Sequence, residues 1–173
     1  MNFDYDNFTE NNALIKRETR TTVLISLSMV ATIIIFALIS YYFSETKKIS
    51  FVDISPTLLN SIFNVLNIAA IFMVVIVLAI RKTIYYSPRT IKEDFTLIQV
   101  LHKWRTIDII LIVVAESIAV MGLVISFLGM PIGRTFHFFI TSTLVILVIM
   151  PINWKVRDKL RILNHQRDMN INF

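Results

Sequence analysis

The chain has 173 residues, 55% of them hydrophobic, with no Cys and a formal net charge of +5; its mean hydropathy is +0.69. Soluble domains of this length sit nearer about 45–50% apolar, so an ordinary soluble fold is excluded, and the missing Cys excludes a disulfide scaffold or a thiolate metal site. The cations flank apolar blocks, so the charge reads as membrane topology and not as a nucleic-acid surface.

Residues 1–21 form a polar segment that begins acidic (Asp4, Asp6, Glu10), unlike the basic start of a cleavable signal peptide. Four apolar blocks follow, predicted as spans over about residues 22–44, 57–80, 106–129 and 135–152. Each reaches or approaches the roughly 20 residues needed to cross a bilayer at about 1.5 Å per residue. They form one domain, residues 22–152: an all-α membrane fold of four transmembrane helices in an antiparallel bundle. Between spans two and three, residues 81–105 make a loop in which Ser87-Pro88 breaks any continuation of span two. Thr90-Ile91-Lys92-Glu93 then reads as a capping box. Apolar Ile91, Phe95, Ile98 and Leu101 recur at helical spacing. This predicts a short juxtamembrane amphipathic helix over 90–104, either a docking or lipid-sensing surface or a piece packed beneath the bundle. Gly129 suits a helix C-cap, with Pro131 two residues on, so spans three and four form a tight hairpin. Residues 153–173 form a tail with Val156, Leu160 and Leu163 on one helical face.

Of the 17 Lys and Arg, 14 fall in the first segment, the middle loop and the tail, leaving Lys47, Lys48 and Arg134 for the other side. That asymmetry predicts both termini and the middle loop in the cytoplasm, in a bacterial inner membrane.

One residue asks for a chemical explanation. Glu116 lies inside the apolar block 107–129, and a carboxylate at mid-membrane depth is costly. Beside it Ala115, Ala119, Gly122, Ser126 and Gly129 recur at spacings of 4, 3, 4 and 3, a seam of small residues that lets helices approach closely in lipid. Span two carries Asn60, Asn64 and Asn67 on one side, and three amides facing lipid are unfavourable, so this side is expected to look inward. Helix rise places Glu116 roughly 16 Å from the cytoplasmic end, Thr32 at the same depth, Thr143 roughly 15 Å and Asn67 roughly 20 Å. A polar layer of Thr32, Asn67, Glu116 and Thr143 follows as a hypothesis. No Lys or Arg lies within any span. Glu116 is therefore a protonated, hydrogen-bonded structural group, a proton or cation site, or the partner of a cation from another chain. Asp108 is expected at the interface near the start of span three, where a helix N-terminus favours an acid. The three His show no ligand spacing, and no phosphate loop, nucleophile elbow or paired carboxylate appears. No metal or cofactor is expected, and an enzyme is the least supported class.

The stretch Val114-Ala115-Glu116-Ser117-Ile118-Ala119-Val120-Met121-Gly122-Leu123-Val124-Ile125 resembles the carboxylate-bearing helix of the rotor-ring subunit c of ATP synthases, which has the form A-E-A-x-A-I/L-Y-G-L-V/I. The resemblance implies that Glu116 binds a translocated proton or sodium ion and that Gly122 is a close-packing position. It covers residues 114–125 only. The family pairs this helix with a Gly-rich one, whereas spans one and two contain no Gly. The expected function is a non-enzymatic interaction or assembly subunit of a membrane complex, or a homo-oligomer, packed through the small face of span three. Its partners are then the bilayer and other membrane subunits or copies of itself. The alternative is a protein that binds or translocates a proton or cation at Glu116.

Overall fold

The computed structural model describes residues 8–46, 54–86, 97–151 and 156. These form four helices: α1 (Phe8–Thr46), α2 (Pro56–Tyr86), α3 (Leu97–Phe127) and α4 (Ile132–Ile149). All four are long and apolar enough to cross a membrane.

The helix limits depart from the apolar blocks for local reasons. α1 has 39 residues, about 58 Å of helix, and starts well before residue 22. Its early polar residues include no Gly or Pro, and extending a helix already nucleated adds one hydrogen bond per residue fixed. α2 is opened by Ser55, whose side-chain oxygen accepts from the Leu58 N–H (3.4 Å) while its carbonyl accepts from Leu59 (3.0 Å); Pro56 then fills the first helical position, where no N–H is needed. α3 begins at Leu97, so the second half of the expected amphipathic helix, residues 97–104, is the start of α3 itself, with Val100, Leu101 and Trp104 buried. Residues 90–96 and the expected tail face, Val156 apart, lie outside the described residues.

α3 ends in a Schellman motif. Gly129 takes φ 94°, its N–H donates to the Ser126 carbonyl (3.0 Å), and the Met130 N–H donates to the Ile125 carbonyl (3.2 Å). Buried Met130 packs in the same apolar cluster as Ile125, which completes the motif. α4 follows directly after Pro131 and stops before Met150, three residues earlier than expected at each end. Pro151 disfavours the helical conformation at Met150, which sits at ψ 122°.

α3 is the central helix and packs against each of the others; α2 rests on α3, touches α4 lightly, and barely meets α1. At one end Glu18 of α1 pairs with Arg105 of α3 (3.3 Å), and the Arg81 guanidinium of α2 donates to the Val148 and Ile149 carbonyls of α4. Those carbonyls have no partner within the helix, so Arg81 supplies what the end of α4 lacks. At the other end Phe43 of α1 meets Phe127 of α3 edge to face at 4.9 Å, and Arg134 of α4 donates to Asn60 of α2 (3.0 Å).

The distribution of polarity is inverted relative to a soluble protein. Thr19, Thr22, Ser26 and Ser40 of α1 are buried, while Leu38 is 62% exposed, and on α2 Val65 and Phe72 are each 64% exposed. Two of these inward hydroxyls return their donors to the preceding turn, Thr19 to the Ile15 carbonyl (2.7 Å) and Ser26 to the Thr22 carbonyl (2.8 Å). Small inward residues and large apolar outward ones suit helices solvated by lipid.

The tightest contact lies between α3 and α4. A Cβ added at Gly122 would fall 2.8 Å from the Phe138 Cβ and 3.3 Å from the Phe139 Cζ, whereas one at Gly133 meets nothing within 4 Å. Gly122→Ala is expected to lower stability in detergent by about 1–3 kcal/mol, and Gly133→Ala to leave it within about 0.5 kcal/mol. Thermal unfolding of the two variants checks this, and equal midpoints would contradict the packing.

Candidate functional site

Glu116 lies on a stripe of α3 whose other members locate it. Arg105, Glu116 and Phe127 are each eleven residues apart, about three turns, so they share a face. Arg105 binds Glu18 and Phe127 packs on Phe43, both from α1. Glu116 is therefore on the α1 edge of α3, midway between these contacts and level with about Val30 to Thr32. It is half-buried. Its helix neighbours one turn away divide by side: Ile112 and Ala119 are fully buried, while Val113 and Val120 are 46% and 41% exposed. Among the described residues no hydrogen bond or ion pair reaches its carboxyl.

The polar layer around it is only partly assembled. Thr32 is level with Glu116, but its hydroxyl donates to the Ser28 carbonyl of its own helix (3.1 Å). Thr143 follows Ser142, whose hydroxyl donates to the Ala115 carbonyl (2.6 Å), so it too is level with Glu116. Asn67 is elsewhere. Its Oδ1 lies 3.2 Å from the His137 Nε2, and the next residue, Phe138, packs on Gly122. Asn67 is thus about 9 Å along the helix axis from Glu116. Counting residues from helix ends misses the stagger of α2 against α3: Asn67 and Glu116 are equally far from Tyr86 and Leu97, the limits of their helices, yet differ in level.

The three Asn of α2 divide among different surroundings. Asn60 binds Arg134, Asn67 faces His137, and Asn64 is exposed. Phe63 lies between the first and last, edge to face with His137 (5.8 Å) and Phe138 (6.1 Å). The result is a ladder that joins α2 to α4 through two polar rungs and an aromatic one. His137 is thus a structural partner of Asn67; the sequence signal for it is that Arg134 and His137, three residues apart, share one face of α4 as the amides share one face of α2.

The small-residue seam is covered within the chain. Ala115 and Ala119 are fully buried, Ser126 is buried, and Phe138 and Phe139 fill the space over Gly122. Ser126 donates to the Gly122 carbonyl (2.9 Å) and lies 3.0 Å from the Thr135 hydroxyl. Gly129, the fifth member, is exposed and ends the helix instead of packing. A second chain therefore cannot use this seam unless α4 leaves it.

A second acid is more deeply placed than Glu116. Asp108 is 2% exposed, eleven residues into α3, beyond the first turn in which the helix dipole acts. It lines a small cavity of about 20 Å³ with Glu18, Thr19, Thr22, Trp104, Arg105 and Pro151, room for about one water. Its burial was hidden because the helix begins nine residues before the predicted span. Among the described residues no group of three or more His, Cys, Asp or Glu is placed to hold a metal ion.

No protein-family model, curated protein or solved structure matches this chain at a significant level.

The α2–α4 ladder makes a specific forecast. His137→Phe keeps an aromatic ring against Phe63 but removes the contact with Asn67, and is expected to cost about 0.5–1.5 kcal/mol. Asn64→Ala is expected to stay within about 0.5 kcal/mol. Adding Asn67→Ala to His137→Phe should cost little more, and full additivity in a double-mutant cycle would show that the rung is not an interaction.

Proposed function

We propose that this chain is an integral membrane protein whose four spans run in antiparallel order and which acts as a non-enzymatic assembly subunit of a membrane complex. The pairing of helix ends supports the antiparallel order. The charge asymmetry of the sequence supports an orientation with both termini and the middle loop in the cytoplasm. A protease that reaches residues 81–105 only from the outer side would overturn that orientation.

The single observation behind the assembly reading is Glu116. It is a half-buried acid near the middle of α3, on an edge that opens outward, and no hydrogen bond or ion pair from the described residues reaches its carboxyl. Acids at this depth pair with other groups or line a polar path. With the small-residue seam filled by α4, the outward edge at Glu116 is the polar feature that another chain can complete. The particle extracted from its own membrane in mild detergent is expected to exceed the 20.0 kDa chain with its detergent, and to lose the excess in Glu116→Leu. A monodisperse single chain under the mildest extraction overturns the reading.

The same missing partner favours a second reading, in which Glu116 holds a proton or a cation as its resemblance to subunit c implies. That reading requires pH-dependent labelling of Glu116 by a carbodiimide and an ion flux in liposomes that Glu116→Gln abolishes.

A further inference from the structure

Glu116 borders an unfilled face of α3 that has the form of a helix-packing surface. Ile110, Val113, Ser117, Val120 and Val124 recur at spacings of 3, 4, 3 and 4, the repeat with which two helices interdigitate at a shallow crossing angle. The four apolar members are 41–55% exposed. Ser117 spends its donor on the Val113 carbonyl (3.1 Å), so it presents a compact surface. The side chains are β-branched or small, which limits the rotamer freedom lost when a second helix covers them. Neither α1 nor α2 closes this face, because they flank α3 and barely meet each other.

The chemistry of the occupant follows from the acid at the rim. Residues 22–44, 57–80, 106–129 and 135–152 contain no Lys or Arg. Within these segments a second copy could therefore offer Glu116 only hydroxyls, amides, another acid or the His137 ring, which Asn67 already meets, and two acids oppose each other at close range. A helix from a different chain with a Lys or Arg at mid-membrane depth would neutralise the acid, and both charged groups would gain from the pairing.

We infer that the open face of α3 receives a transmembrane helix of a different protein, whose Lys or Arg at mid-depth pairs with Glu116. This inference rests on the assembly reading and gives its partner a chemistry.

The full chain, labelled and reconstituted in liposomes, tests it against synthetic apolar transmembrane peptides that carry Lys, Gln or Leu at the central position. Energy transfer is expected to show the Lys peptide associating about tenfold more tightly than the Leu peptide. Glu116→Gln should reduce that advantage to the level of the Gln peptide, and Glu116→Lys should transfer the preference to a peptide with a central Glu. Val120→Trp leaves the acid in place and obstructs the face, so it should weaken the Lys peptide while helix content stays as in the parent. Equal association of the three peptides, or a Lys preference unchanged in Glu116→Gln and in Val120→Trp, overturns the inference. So does Glu116-dependent proton uptake by the liposomes in the absence of any peptide preference. The assembly reading itself fails on a different result, a single-chain particle from the native membrane, so the two failures are distinguishable.

Discussion

The near-contact of the α3 and α4 backbones at Gly122 is the constraint on which the rest of the structure depends. Phe138 and Phe139 occupy the volume that a side chain at Gly122 would need. The Ser142 hydroxyl of α4 reaches the Ala115 carbonyl of α3, and the Ser126 hydroxyl of α3 meets that of Thr135, only because the two helices are so close. In lipid, burial of apolar surface gives little drive for helices to associate, so dispersion and hydrogen bonds must supply it. The Schellman turn at Gly129 delivers α4 to this position by reversing the chain within a few residues. With α4 set, its terminal carbonyls stand where Arg81 can reach them, and its first turns stand where Asn60 and Asn67 can meet Arg134 and His137. α2 is thereby held at both ends although it packs lightly on α4 between them.

The two acids of α3 have different places in this arrangement. Asp108 is enclosed by α1, Pro151 and Val156, beside the Glu18–Arg105 pair and near the end of the apolar zone. Glu116 lies one face around and two turns further in, where its own chain covers it only in part. Complete enclosure costs an acid its hydration and is met where polar groups stand close by, as Glu18, Thr19, Thr22 and Arg105 do around the cavity that Asp108 lines. A group at an opening gains from something that arrives later. The difference in enclosure is why the functional reading rests on Glu116 and not on the more deeply buried acid.

What could be read from the sequence follows the physics of each signal. Uninterrupted apolar runs reveal four membrane-length helices, because lipid demands apolar side chains along the whole crossing. The same signal cannot show where a helix ends once it leaves the lipid, since backbone hydrogen bonding continues through polar residues; hence α1 begins at Phe8 and α3 at Leu97. The turn at Gly129 was legible because only a residue without Cβ adopts that φ easily. The spacing of Ala115, Ala119, Gly122 and Ser126 exposes a close-packing face but says nothing about which helix fills it. The occupant was written in α4, where Thr135, Phe138 and Ser142 recur at spacings of 3 and 4. Asn67 shows the limit of depth counting: a shift in helix register moves a side chain by several ångströms without changing its apolar surroundings.

The length of α1 has a mechanical consequence. Its backbone is continuous from Phe8 to Thr46, so the portion that outruns a bilayer of about 30 Å is a rigid arm and not a tether. A tilt of about 10° at one end sweeps the other by roughly 10 Å over a helix of about 58 Å. Whatever alters the inclination of the first helix in the lipid is therefore registered, enlarged, at its Phe8 end, beyond the Glu18–Arg105 pair that ties it to α3.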